Sequence, residues 1–371
     1  MLNQLTRYGA SRRYLEEAAL YPGWSLGRVT SQYKDLYKII TEEGECLAEI
    51  SGKFRYRLKE LAEYPAVGDF VMADLGGGSD AGAGTGSGSN IGGGNAIIQQ
   101  VLSRKSVFER AAAGTGQQKQ VVAANIDIVF ICMALNNDYN LSRLERYLAV
   151  AWNSGATPVV VLTKADLCET LSDITSEVSQ VAAGADVIVT SGYDQASCHK
   201  LLPYLQPGLT ASFIGSSGVG KSTLINELAG EKLLATGAIG WEDKGRHTTT
   251  RRELLVLPQG GIVIDTPGMR ELGVEAVDLS RSFADIDELI SQCRFRDCSH
   301  TEEPGCAVRQ ALESGELDSR RLESYRKLKK EAKYDGLSSR QIEAEKINTM
   351  FGGMAEMKKM KEFSRKKNKG R

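Results

Sequence analysis

The octapeptide Gly215-Ser216-Ser217-Gly218-Val219-Gly220-Lys221-Ser222 constrains this 371-residue chain more than any other feature. It fits G-x-x-x-x-G-K-[ST], a pattern that works between a strand and a helix. Its glycines let the backbone curl until successive N–H groups face one point, a cradle for phosphate oxygens. The helix that follows aims its positive end at the same anions. Lys221 would reach the β- and γ-phosphates, Ser222 would ligate Mg2+, and Thr223 would touch the phosphates beside it. The flanks agree: 211–214 is an apolar, β-prone run, and 223–228 reads as helix. A Gly-rich turn with no ligand is the competing reading.

The surroundings have the texture such a loop requires. From Ile126 onward, strand candidates at 126–134, 157–163, 186–190, 211–214, 254–257 and 262–265 alternate with helical stretches near 141–153, 172–183, 195–205 and 221–230. This alternation predicts a parallel sheet covered by helices.

A phosphate loop alone does not choose a base. Thr163-Lys164-Ala165-Asp166 follows a predicted strand. A carboxylate there can accept both guanine donors, N1 and N2; adenine has no such pair and would leave Asp166 unsatisfied. The Lys164 stem can cover the base face. Ser191-Gly192 suits a small loop closing over the base, although each of these short motifs also suits a surface turn. Asp265-Thr266-Pro267-Gly268 ends another predicted strand. Asp265 there can hold Mg2+ through water, and the Gly268 N–H can sense the γ-phosphate. Between these lies Gly245-Arg246-His247-Thr248-Thr249-Thr250. Thr249 or Thr250 could supply a further Mg2+ ligand, or the segment could be a polar turn. Met269 stands where many GTPases carry a water-orienting Gln. His247 is the group at hand for that task, against the reading of a solvated loop histidine. The base-reading motif thus precedes the phosphate loop, and the switch motif comes last. This order is that of a circularly permuted GTPase, and it leads the switch segments straight into the C-terminal region.

Upstream, residues 4–20 predict one helix ended by Pro22-Gly23. Short β-prone runs at 27–31, 36–40, 46–50, 54–57, 69–73 and 96–102 follow at close spacing, as in a small β-barrel. Residues 76–94 hold ten glycines in nineteen positions. Having almost nothing to bury, they read as a loop between two barrel strands, a linker between domains being the alternative.

Cys293-x4-Cys298-x-His300-x5-Cys306 offers three thiolates and one imidazole. Four protein ligands leave no position for water, so the set fits one closed structural Zn2+ rather than a catalytic one. Unpaired thiols are the alternative, since seven cysteines cannot complete a disulfide framework. No apolar run approaches a membrane span, and residues 1–13 hold no leader-like stretch; the expectation is a cytoplasmic protein without a membrane partner. The formal charge of −1 excludes a uniformly basic nucleic-acid binder, but it hides a division. Residues 357–371 hold eight bases and one acid, +7, which leaves −8 on residues 1–356. Such a tail can neutralise RNA phosphates or simply be a solvated end.

Taken together, the motifs at 163–166, 215–222, 245–250 and 265–268, the Cys/His segment 293–308, and Asn125-Ile126-Asp127 resemble the ribosome small-subunit-dependent GTPase A family (RsgA, also called YjeQ or YloQ). The resemblance spans roughly residues 25–330. It implies a multidomain α/β chain with an OB-fold barrel (25–108, here with a Gly-rich loop), a circularly permuted GTPase domain (109–278) and a helical zinc-binding domain (279–350), to which the sequence adds an N-terminal helical extension (1–24) and a basic tail (351–371). It further implies GTP hydrolysis with Mg2+, His247 as the catalytic group, and late maturation of the small (30S) ribosomal subunit through contact with its rRNA. The Gly-rich insertion and the long tail depart from the family pattern. Nothing in the sequence calls for a homo-oligomer. A P-loop small-molecule kinase and a non-enzymatic RNA-binding module remain the alternatives. The kinase has no use for Asp166, and the inert module none for intact Lys221, Ser222 and Asp265.

Overall fold

The structure is a computed structural model that describes residues 4–33, 35–76, 95–111, 119–234, 253–265, 279–280 and 282–333. Five strands, β1 (Ser25–Tyr33), β2 (Leu36–Thr41), β3 (Gly44–Ile50), β4 (Phe70–Asp74) and β5 (Ala96–Val101), pair in the order β1-β2-β3-β5-β4. β4 returns to pair with β1, and β3 runs parallel to β5. The closed circuit leaves no free edge, and its five-stranded Greek-key order is that of an OB-fold. Val29, Ile39, Ala48, Val71 and Ile98 fill its interior. Because β4 and β5 are adjacent strands, the Gly-rich segment between them joins two strands of one barrel and is not a linker between domains. Residues 77–94 of that segment lie outside the described residues.

Two expectations fail here, for local reasons. The run at 54–57 is not a strand; it lies in helix α3 (Gly52–Arg57), started by the Ser51 hydroxyl accepting from the Phe54 N–H at 3.0 Å. The spacing of Phe54 and Tyr56 imitates strand alternation, but only Phe54 is buried. The single helix expected over 4–20 is two, α1 (Gln4–Arg7) and α2 (Arg12–Ala18). They are broken at Gly9, which adopts φ +81° and where a Cβ would sit 2.8 Å from the Gly208 carbonyl oxygen.

A hairpin, β6 (Val107–Ala111) with β7 (Lys119–Ala124), follows the barrel. The chain then enters a second layered unit: β8 (Ile128–Ala134), α4 (Leu141–Ser154), β9 (Thr157–Thr163), α5 (Leu171–Val181), β10 (Asp186–Val189), α6 (Gln195–His199), β11 (Thr210–Ile214), α7 (Lys221–Ala229), β12 (Glu253–Val256) and β13 (Ile262–Asp265). The stretch 195–205 is not one helix: a separate 3-10 turn at Leu202–Tyr204 includes Pro203, which has no N–H to continue the α-helical ladder. The sheet order is β10-β9-β8-β11-β13-β12, parallel except for β12. Successive residues of β8 face opposite layers. Val129, Ile131 and Met133 join the core under α4, whereas Phe130, Cys132 and Ala134 join the core under α7. Both faces are covered, which is why these strands read as continuous apolar runs.

At the sheet edge, Glu253 opens β12 and pairs with Asp265, the last residue of β13. On its other side Glu253 pairs with Ser31 of barrel strand β1, so the barrel continues the same sheet. Beyond β13 the chain forms α8 (Ala284–Ser291), α9 (Ala307–Ser314) and α10 (Ser319–Lys333), whose Ile286, Val308, Leu322 and Leu328 share one core with Leu144 and Leu148 of α4. Residues 334–371, including the basic tail, lie outside the described residues. No helix among the described residues is long and apolar enough to cross a membrane.

Candidate functional site

The phosphate loop leaves the central strand β11, which lies between β8 and β13. Within the six GTPase strands, β8, β9 and β10, which precede the loop in sequence, lie on one side of it, and β13 and β12, which follow, lie on the other. A crevice at the carboxyl ends of parallel strands, where the order reverses, is where such sheets bind ligands. Gly215 takes φ +144°, and a Cβ there would stand 2.3 Å from the Cys132 carbonyl oxygen of β8, so only glycine permits the approach. Gly218 and Gly220 also have positive φ, at 72° and 106°. Cys132 beneath the loop is a wall rather than a nucleophile, since burial pushes its thiol up to about 12. Lys221 opens α7 and donates from Nζ to the carbonyls of Gly215 (2.8 Å) and Ser216 (2.7 Å), which hold its charge over the loop. Ser222 and Thr223 follow in the first turn, where N–H groups have no helical acceptor.

The base-reading motif meets this loop directly. Thr163, at the end of β9, donates its hydroxyl to the Val219 carbonyl at 2.6 Å. Lys164 turns the chain with φ +58°. Asp166 accepts from the Ser191 hydroxyl at 2.6 Å, which orients the carboxylate. A Cβ at Gly192 would come 4.0 Å from the Thr223 methyl, so the 191–192 loop borders the start of α7. Residues spread over sixty positions of sequence thus line one crevice. Asp265 ends β13, beside β11. His247, Thr248, Thr249, Thr250 and Gly268 lie outside the described residues.

One polar neighbour of the loop is not foreshadowed by any motif. Asp138 accepts a hydrogen bond from the Ser216 hydroxyl and pairs with Arg143 at 2.8 Å. Its signal was positional: the loop after β8 must border a phosphate loop on the adjacent parallel strand.

The second cluster is built by α8 and α9. Cys293 follows α8, Cys306 caps α9 and accepts from the Arg309 N–H at 3.4 Å, and His300 takes φ +58° between them. The four ligand atoms of Cys293, Cys298, His300 and Cys306 lie within 4.8 Å of one another. The Cys293 and Cys306 sulfurs are 3.9 Å apart, and His300 Nδ1 is 3.6 Å from each. Zn–S bonds of about 2.3 Å in a tetrahedron put sulfurs about 3.8 Å apart, so the donor set and spacing fit zinc. Burial resists charge on Cys293, but the backbone N–H groups of Val308 and Ala307 outweigh it and hold the thiol below its ordinary value. Glu303 is no ligand; it accepts from the Ser299 and Thr301 N–H groups and shapes the loop.

A family model described as RsgA GTPase matches residues 101–275, and one described as ABC transporter matches 199–356, a span that includes the phosphate loop common to many nucleotide-binding proteins. A relative from Lactiplantibacillus plantarum, small ribosomal subunit biogenesis GTPase RsgA 2, is 47% identical over 98% of this chain and 99% of its own length. RsgA 1 of Listeria innocua is 42% identical over 89% of this chain and 90% of its own. The crystal structure of YjeQ from Thermotoga maritima matches with TM-score 0.58 and 26% identity, over 82% of this chain and 97% of that one. The crystal structure titled YloQ, a circularly permuted GTPase, matches with TM-score 0.55 and 25% identity, over 84% and 96%.

Proposed function

We propose a function from one premise: this chain belongs to the RsgA family of circularly permuted GTPases. It hydrolyses GTP, and the family implies Mg2+ with that GTP. The proposal is that hydrolysis serves late maturation of the small (30S) ribosomal subunit, that the subunit stimulates it, and that rRNA is part of the docking surface. The observation that carries this reading is the hydrogen bond from Thr163 to Val219, which joins base-reading and phosphate-binding motifs in permuted order, in a chain whose relatives are named for small-subunit biogenesis.

Asp166, oriented by Ser191, selects guanine, with Thr163, Lys164 and Gly192 around the base. The backbone of 215–220 and Lys221 take the phosphates, with Thr223 beside them. Ser222 and Asp265 would hold Mg2+, which supplies charge neutralisation at the phosphates. His247 orients water in place of the absent Gln, and Thr249 or Thr250 closes over the γ-phosphate, beside the Gly268 N–H. Cys293, Cys298, His300 and Cys306 would hold one structural Zn2+. The working unit is a cytoplasmic monomer with barrel, GTPase and zinc-binding segments at 25–108, 109–278 and 279–350.

GTPase activity with and without purified small subunits tests the reading. The expected outcome is stimulation; subunits that bind but never accelerate hydrolysis, or a preference for ATP, would sink it. Asp166→Asn should shift preference from GTP toward XTP by roughly a hundredfold or more, because a mismatched buried pair is discriminated that strongly. An unchanged GTP/XTP ratio removes Asp166 from the base site.

A further inference from the structure

The body of the chain is acidic, yet one short segment of the barrel is not. Residues 53–59 carry Lys53, Arg55, Arg57 and Lys59 and no acid. All four are exposed. Between them Tyr56 is 92% exposed, the ring standing in water with no packing role. An exposed large ring among cations is an informative departure from ordinary surface composition. The segment is also held in place. Phe54 is buried in the barrel core, and the Ser51 hydroxyl fixes the start of α3. Among the described residues only Arg55 has a carboxylate in ion-pair range, Asp35 at 3.5 Å, and both side chains are more than half exposed, at 51% and 76%. Such a pair holds the arginine weakly. The hollow beside α3, lined by Asp35 and Glu49 with Arg55 at its rim, carries two acids to one base and so favours an anionic ligand less than the outer face of α3 does.

We propose that this face of α3, with the extended residues that follow it, docks unpaired RNA, Tyr56 stacking on a base and Lys53, Arg55, Arg57 and Lys59 neutralising the flanking phosphates. Charge complementarity selects a polyanion, and the ring selects one with accessible bases. Single strands offer base faces to an aromatic ring, whereas a duplex keeps them stacked inside. A membrane surface or an acidic protein would use the cations but not a lone exposed Tyr on so short a helix. The inference extends the proposed function by locating an RNA contact on the barrel, and it rests on that reading only for where the RNA comes from.

The test uses the full-length chain, so that the basic tail contributes equally throughout. Binding to labelled single-stranded oligouridylate, to an RNA duplex of equal length and to heparin is followed by anisotropy across a salt series. Tyr56→Ala should weaken oligouridylate binding about fivefold to a hundredfold, and Tyr56→Phe should keep it. Duplex and heparin binding should not respond to either. Replacing Lys53 and Arg57 by Gln should lower the salt slope by about 0.7 per charge removed. Unchanged oligouridylate affinity in Tyr56→Ala overturns the proposal. So does a Tyr56-independent loss of RNA and heparin together, which marks a general polyanion surface, or a preference for duplex. Circular dichroism of Tyr56→Ala, whose ring packs on nothing, separates a lost contact from a lost fold. Small-subunit stimulation of the wild type separates the two readings. Stimulation without any Tyr56 effect on RNA rejects the docking face alone. Tyr56-dependent RNA binding without stimulation rejects the ribosomal function alone.

Discussion

The two junctions that flank the GTPase unit bury charge in opposite ways. Where the barrel meets the sheet, Arg28 is 1% exposed, and among the described residues its guanidinium hydrogen bonds go to carbonyls and a hydroxyl rather than to a carboxylate. It donates to the carbonyls of Tyr8 (2.6 Å), Gly68 (3.1 Å) and Asn125 (3.4 Å) and to the Thr210 hydroxyl (2.9 Å), with its guanidinium over the Phe70 ring. Burial pulls its pKa down to about 10, and it remains charged at neutral pH. Asn125, at φ +58°, extends the node by accepting from Tyr14 and donating to Gly68. Where α4 meets α10, a buried anion is met by cations: Glu145 is 1% exposed and lies 3.1 Å from Arg321 and 3.5 Å from Arg320. Arg321 also grips Asp285 at 2.7 Å. Neutral dipoles fix a geometry, whereas ion pairs fix a balance of charge. At the first junction the carboxylates of Asp69 and Asp127 act on Arg28 only through their field, whereas at the second a carboxylate is the direct partner.

The contrast can be broken most severely at the metal cluster. With the proposed Zn2+ bound, chelation or Cys306→Ser, which takes one donor from the set, should cost on the order of 10 kcal/mol at the C-terminal side. Hydrogen exchange should then show α8 and α9 unprotected while the barrel and central sheet stay closed. If all regions opened together, the two junctions would not be separate units. Arg28→Met should cost about 4 kcal/mol, because it strands several buried acceptors at once. Denaturant unfolding measures this, and a loss under about 1 kcal/mol would show that the acceptors find water. Glu145→Ala should cost about 3 kcal/mol by leaving two arginines facing each other. Its opening should be confined to the α4–α10 contact, and an effect on barrel protection would merge the junctions. The smallest effect is with pH. Burial raises Asp285, but Arg321 outweighs it and holds the carboxyl below its ordinary value of 3.8. A depressed carboxylate stabilises the fold above its unfolded pKa and loses that contribution as pH falls through its folded one. The stability difference between wild type and Asp285→Asn should therefore shrink below about pH 4. Asp69 in the barrel is shifted the other way, since burial pushes its carboxyl up against the pull of Arg104. Acid thus does not remove a contribution there, and a barrel that loosened first would reverse the comparison.

What could be read from the sequence was what is contiguous. The phosphate loop, Thr163–Asp166 and the Cys/His set each gather their chemistry within a few residues, and their spacing states the geometry. The barrel strands were legible because turn residues punctuate them. α3 was misread because Phe54 and Tyr56 share a strand-like spacing, and only packing shows that one is buried and the other is not. The break at Gly9 depends on Gly208, and the Arg28 node joins residues 182 positions apart at Thr210. The β6–β7 hairpin and Asp138 were missed for a related reason, since neither carries a motif and each is defined by a neighbour elsewhere in the fold.

The pairing of Ser31, Glu253 and Asp265 across one rung of the sheet sets a scale for the whole molecule. Barrel strand β1 lies on the near side of that rung, and the chain that leaves its far side goes on to the helices that carry the Cys/His cluster. The barrel is thus tied to the GTPase sheet at this rung as well as at the buried Arg28 node. In sequence the rung is bracketed by the 245–250 motif before Glu253 and by the 265–268 motif that starts at Asp265. Either motif therefore has only a few residues of covalent path to the rung from which the barrel's sheet continues.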